Sequence, residues 1–149
     1  MKTLAILLFS LFMSKGCQDS TQQEQDLKKT VIEYVANTRG FYQKIKVENK
    51  LISITNDRSG NEKARTIILS ENDWNELVVL FQKVKLEELS TLKAPTEKRF
   101  YDGAAIANLK INYRGKEYQS ASFDHGYPPA EIKEIVNKIN SFTKQDNEN

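Results

Sequence analysis

One cysteine, one histidine and one tryptophan stand in 149 residues, and the longest apolar run, Leu4 to Met13, is short. The lone cysteine, Cys17, excludes an internal disulfide. The lone histidine, His125, excludes paired-histidine metal motifs, and neither CxxC nor EF-hand spacing is present. A GxSxG elbow and a phosphate-binding loop are also missing, so no familiar nucleophile or nucleotide cradle can be assigned. The apolar run falls well short of the ~20 helical residues that cross a hydrocarbon core. No internal repeat divides the chain.

The run does have the length of the apolar region of an export signal, and it follows Lys2. Gly16 precedes Cys17 and lets a peptidase approach the backbone closely. An exported chain with one leftover thiol calls for an explanation, and acylation supplies one. Gly16-Cys17 resembles the lipobox of bacterial lipoproteins. Ser14 and Lys15 stand where the strict pattern has a branched apolar residue and then Ala or Ser, as in the looser lipoboxes of Bacteroidetes-type bacteria. The resemblance implies a signal peptide over residues 1–16, lipid on Cys17, and a place in the cell envelope on the periplasmic or outer-membrane face.

Removal of residues 1–16 takes away Lys2 and Lys15, leaving twenty basic residues against twenty acidic ones. A neutral mature chain gives no support to nucleic-acid binding or to a polybasic membrane contact. About 130 residues make one domain able to bury a core without disulfides. Residues 17–29 are polar with a single apolar residue, Leu27, and read as a flexible tether. Residues 30–143 read as the domain and 144–149 as a disordered tail.

Within the domain, Thr30–Ala36 is β-branched and aromatic and reads as a strand, with a short helix as the alternative. Residues 41–47 and 51–55 flank Glu48-Asn49-Lys50 as a hairpin. Residues 56–63 read as a loop and 65–69 as a strand. Ser70 has the character of an N-cap, and Trp74, Leu77, Val78, Phe81 and Val84 recur at helical spacing. Alternation over Ala107–Tyr113, a turn at Arg114-Gly115 and a strand over Glu117–Phe123 follow. Pro128-Pro129 introduces a final helix striped by Ile132, Ile135, Val136, Ile139 and Phe142. These elements predict an α+β domain: an antiparallel sheet of about five to six strands with two amphipathic helices packed on one face.

Two segments carry candidate chemistry. Lys98–Gly103 joins two bases to two aromatics, and its Arg99, Tyr101 and Asp102 suit a recognition edge. The competing reading, favoured by the small size of the domain, has Phe100 and Tyr101 plugging one end of the core. Asp124-His125-Gly126 lies at a strand-to-helix junction. Asp102, Asp124 and His125 could serve a small hydrolase or metal-dependent enzyme only if they converge in one pocket. The commoner use of such residues is local capping of loop amides, with Gly126 supplying an unusual dihedral. The order of elements, with Tyr101-Asp102-Gly103 and Phe123-Asp124-His125-Gly126-Tyr127-Pro128-Pro129, also looks like small lipoproteins of Bacteroidetes-type bacteria. That resemblance implies no activity. The expected reading is a lipid-anchored, non-enzymatic binding module. It needs no cofactor or metal, and its partners are the membrane, through the anchor, and an envelope protein.

Overall fold

A computed structural model describes residues 20–144, so the signal, Cys17 and the tail after Lys144 lie outside the described residues. The domain is an antiparallel sheet with helices on one face, as its alternating and helical patterns predict. The strands are β1 (Val31–Asn37), β2 (Tyr42–Glu48), β3 (Leu51–Thr55), β4 (Arg65–Ile68), β5 (Ile106–Tyr113), β6 (Lys116–Gln119) and β7 (Phe123–Asp124). They lie in the order β4-β3-β2-β1-β5-β6, with β7 also paired to β5.

Two-residue turns set the register of two hairpins. Asn49 and Lys50 (φ 47° and 63°) join β2 to β3, and Arg114 and Gly115 (φ 50° and 77°) join β5 to β6. Two consecutive positive φ values give the turn whose twist matches that of the flanking strands. Tyr34 then lies opposite Ile45 on one side and Leu109 on the other. The buried row runs through Ile32, Tyr34 and Ala36 of β1, Ile45 and Val47 of β2, Ile52 and Ile54 of β3, and Ala107, Leu109 and Ile111 of β5. The opposite face carries Lys44–Glu33 and Lys110–Glu117 ion pairs.

Helix α2 (Glu71–Gln82) begins at Ser70, whose hydroxyl accepts the Asp73 N–H at 3.1 Å. It buries Trp74, Leu77, Val78 and Phe81. Helix α3 (Lys133–Ser141) follows a short 3₁₀ turn, Ala130–Ile132, that starts after Pro129. All five residues of its predicted stripe are buried.

The structure corrects the expected boundaries in two places. Residues 20–28, inside the expected flexible tether, form helix α1 (Ser20–Lys28). Leu27 joins the core, Gln82 donates to Gln23 at 2.7 Å, and Asp26 accepts from Tyr113 and Arg114 at 3.1 and 3.0 Å. One apolar residue makes no periodic signal, yet it suffices where α2 and β5 already provide a surface. The strand expected over 117–123 is split into β6 and β7, which brings the sheet to seven strands. Ser120 makes the break: its backbone N–H donates to Leu109 O at 2.9 Å while its hydroxyl accepts the Leu109 N–H at 3.0 Å. A side chain thus replaces a ladder carbonyl and lets the edge bend.

Candidate functional site

The junction after β7 places two neighbouring residues in different surroundings. Asp124 is fully buried. Its carboxylate accepts from the Thr96 hydroxyl at 2.6 Å, the Lys98 N–H at 2.7 Å, and the Arg99 N–H and Nη1 at 3.0 Å each. The Arg99 side chain is only 7% exposed, and it also donates to Thr96 O at 2.8 Å and Ser122 Oγ at 3.3 Å. Burial alone would raise the Asp124 pKa. The Thr96 hydroxyl, Arg99 and the Lys98 amide overcome it and hold the group at about 2.

This clamp fixes the 3₁₀ turn Lys98–Tyr101 from beneath. The expected aromatic plug is not formed: Phe100 and Tyr101 are 70% and 71% exposed. The core closes without them because Phe123, Phe142, Tyr34 and Trp74 already fill it. Arg99 lies 4.3 Å from the Phe100 ring centre and Lys98 lies 4.7 Å from that of Tyr127, itself partly exposed. Asp102 ends the turn in left-handed geometry (φ 59°) and is exposed.

His125 turns the other way. Its Nδ1 lies 2.7 Å from the Tyr34 hydroxyl, and its ring packs 5.4 Å from Phe41 and 5.9 Å from Tyr34, measured between ring centres. Burial pushes its pKa below the ordinary 6.5 and pushes the Tyr34 phenol well above its own range. At neutral pH the pair is therefore a protonated phenol on a neutral imidazole. The positive φ of Gly126 (88°) turns the chain directly after it.

His125 lines two concavities, of about 860 and 420 Å³, that share Gln43 and Thr143. The larger is bounded by Phe41, Tyr42, Ile54, the loop at Glu62 and Lys63, and Arg65, which donates to Phe142 O at 3.4 Å. The smaller is bounded by Gly126, Val136, Asn137, Asn140 and Lys144.

No hydrogen bond or ion pair joins any two of Asp102, Asp124 and His125 among the described residues. The convergence that a three-residue enzyme site requires is not formed: Asp124 is saturated by the loop, Asp102 faces solvent, and His125 faces Tyr34 and the cleft. Among the described residues no group of three or more His, Cys, Asp or Glu could hold a metal ion. Of the candidate loop residues, Arg99 and Asp124 are brought together as the clamp, Tyr101 and Asp102 sit on its exposed tip, and His125 belongs to the cleft. Tyr34, Phe41 and Gln43 were not legible as site residues. One signal existed for Gln43, a polar residue in the inward row Gln43, Ile45, Val47 of β2.

Comparison of the chain with protein-family models, with curated proteins and with solved structures finds no match.

Proposed function

We propose that the chain is an envelope lipoprotein held by acyl chains on Cys17, and that its domain is a non-enzymatic module that captures a protein partner with the Lys98–Tyr101 turn. The observation that supports this most is two large exposed aromatics on a turn held rigid by a buried Arg99–Asp124 pair. Aromatic side chains fixed before binding lose little freedom on contact and bury a large area. Lys98, beside the Tyr127 ring, adds a basic edge that suits an acidic or carbonyl-rich surface, while the Arg99 charge is taken up by Asp124. Lipid attachment fits the same role, since two acyl chains anchor stably where one is marginal.

Mild crosslinking in intact cells tests the proposal, comparing the native chain with a Phe100→Ser, Tyr101→Ser double variant. The native chain is expected to yield a discrete crosslinked partner that the variant loses. Capture undiminished in the variant, or no discrete partner, overturns the module. Mass spectrometry of the same membrane extract is expected to show a mature N-terminus at acylated Cys17. An unmodified thiol or a different N-terminus overturns the anchor.

A further inference from the structure

The cleft on the far side of the junction from the aromatic turn holds a polar group that the fold does not use. Gln43 is 7% exposed, sits in the inward row of β2, and lines both concavities. Its carboxamide makes no side-chain hydrogen bond among the described residues, and its polar atoms are not among the fully buried ones left without a partner, so they keep contact with solvent through the cleft. A buried amide without partners is costly, and such groups in native proteins are ordinarily satisfied. Gln43 escapes part of that cost by opening on the cleft, where it can be satisfied from outside the chain. His125 brings a second unused group to the same place. Its Nε2 makes no hydrogen bond among the described residues, and it is a donor in the tautomer in which the Tyr34 hydroxyl donates to Nδ1.

We infer that this cleft binds a small neutral ligand through a secondary amide. A trans amide presents its N–H and C=O on opposite edges, so it needs an acceptor and a donor from two residues. Gln43 Oε1 and the His125 Nε2–H are that pair. Gln43 and the neutral His125 ring carry no charge, and a ligand charge placed against them would meet no counter-ion there. The charged residues are Glu62, Lys63 and Arg65 on the larger concavity and Lys144 on the smaller, and they bear both signs. Phe41, partly exposed beside His125, supplies a wall for an apolar ligand face. Both volumes fall within the range of small-molecule sites. The inference holds whether or not the aromatic turn captures a partner.

Two sources share this chemistry, an N-acetylated amino sugar and a peptide unit. The test titrates the full chain with N-acetylglucosamine, with N-acetylalanine methylamide and with glucose as the amide-free control, following the backbone amides of residues 41–43 and 125–126 by NMR. At least one amide probe is expected to saturate while glucose does not, and the probe that binds identifies the source. Gln43→Met is expected to weaken that binding by about tenfold or more, with an unchanged or higher melting temperature. His125→Asn, the second variant, is expected to weaken it to a similar extent. Failure of both amides to saturate by about 10 mM, glucose binding as well as the amides, or undiminished binding by either folded variant overturns the inference.

Discussion

Around Asp124 four hydrogen bonds converge on one buried carboxylate, whereas one residue later His125 and the neighbouring Gln43 face open space with unused hydrogen-bonding capacity. The first region is closed chemically: the carboxylate is buried and already accepts four hydrogen bonds, so it positions a loop and is unavailable to a substrate. The second is closed on one side only, by Tyr34 and Phe41. Adjacent ionisable residues in a chain therefore need not form one site. The strand geometry that sends successive side chains to opposite faces separates them, and β7 ends at this point.

The comparison is broken most directly at Asp124. Asp124→Ala leaves the buried Arg99 guanidinium without its partner and releases the turn, and it is expected to cost about 3–5 kcal/mol in chemical denaturation. A loss below about 1 kcal/mol would mean that the pair behaves as a surface ion pair and the loop is not clamped.

At His125 the expected change is smaller. His125→Asn forfeits one hydrogen bond at a half-open position and should cost about 1 kcal/mol, with the fold retained. The pH dependence separates the two residues further. The folded His125 has a pKa below 6.5, so as the pH falls through that value the unfolded chain takes up the proton first. Stability present above about pH 6.5 is therefore lost as the pH falls toward the folded value. Asp124 is depressed from 3.8 to about 2, so its contribution is present above the unfolded value and is lost between the two. Melting temperatures across this range should show both losses in the native chain and only the lower-pH loss in His125→Asn. A native-sized loss near pH 6 in the variant would place the titration elsewhere.

The smallest effect belongs to the tip of the clamp. Phe100→Ser with Tyr101→Ser should leave stability within about 0.5 kcal/mol, as for other solvent-facing substitutions. A loss above about 2 kcal/mol would show that the rings are packed, and the clamp would then be part of a core rather than a support for an exposed edge.

How much of this could be read before folding depends on whether a residue repeats. Trp74, Leu77, Val78 and Phe81, like Ile132, Ile135, Val136, Ile139 and Phe142, recur at helical spacing and are buried together. Ile45 and Leu109 alternate with polar neighbours and meet Tyr34 in register. Single residues without a period were misread. Leu27 belongs to a helix that only an existing surface could stabilise, and Phe100 and Tyr101 look like core residues by composition but lie outside a core already filled by others.

Local chemistry in the chain was enough to determine the α+β class, the hairpin turns, the Ser70 cap and the helical stripes, because each depends on neighbours within a few positions. Only tertiary structure decided which polar residues are satisfied. Asp124 finds Arg99 and Thr96 twenty-five and twenty-eight positions away, and Tyr34 meets His125 across ninety-one. Hydrogen bonds between distant residues leave no periodic trace in the sequence. For that reason the clamp and the cleft, unlike the fold, became visible only when the strands were brought side by side.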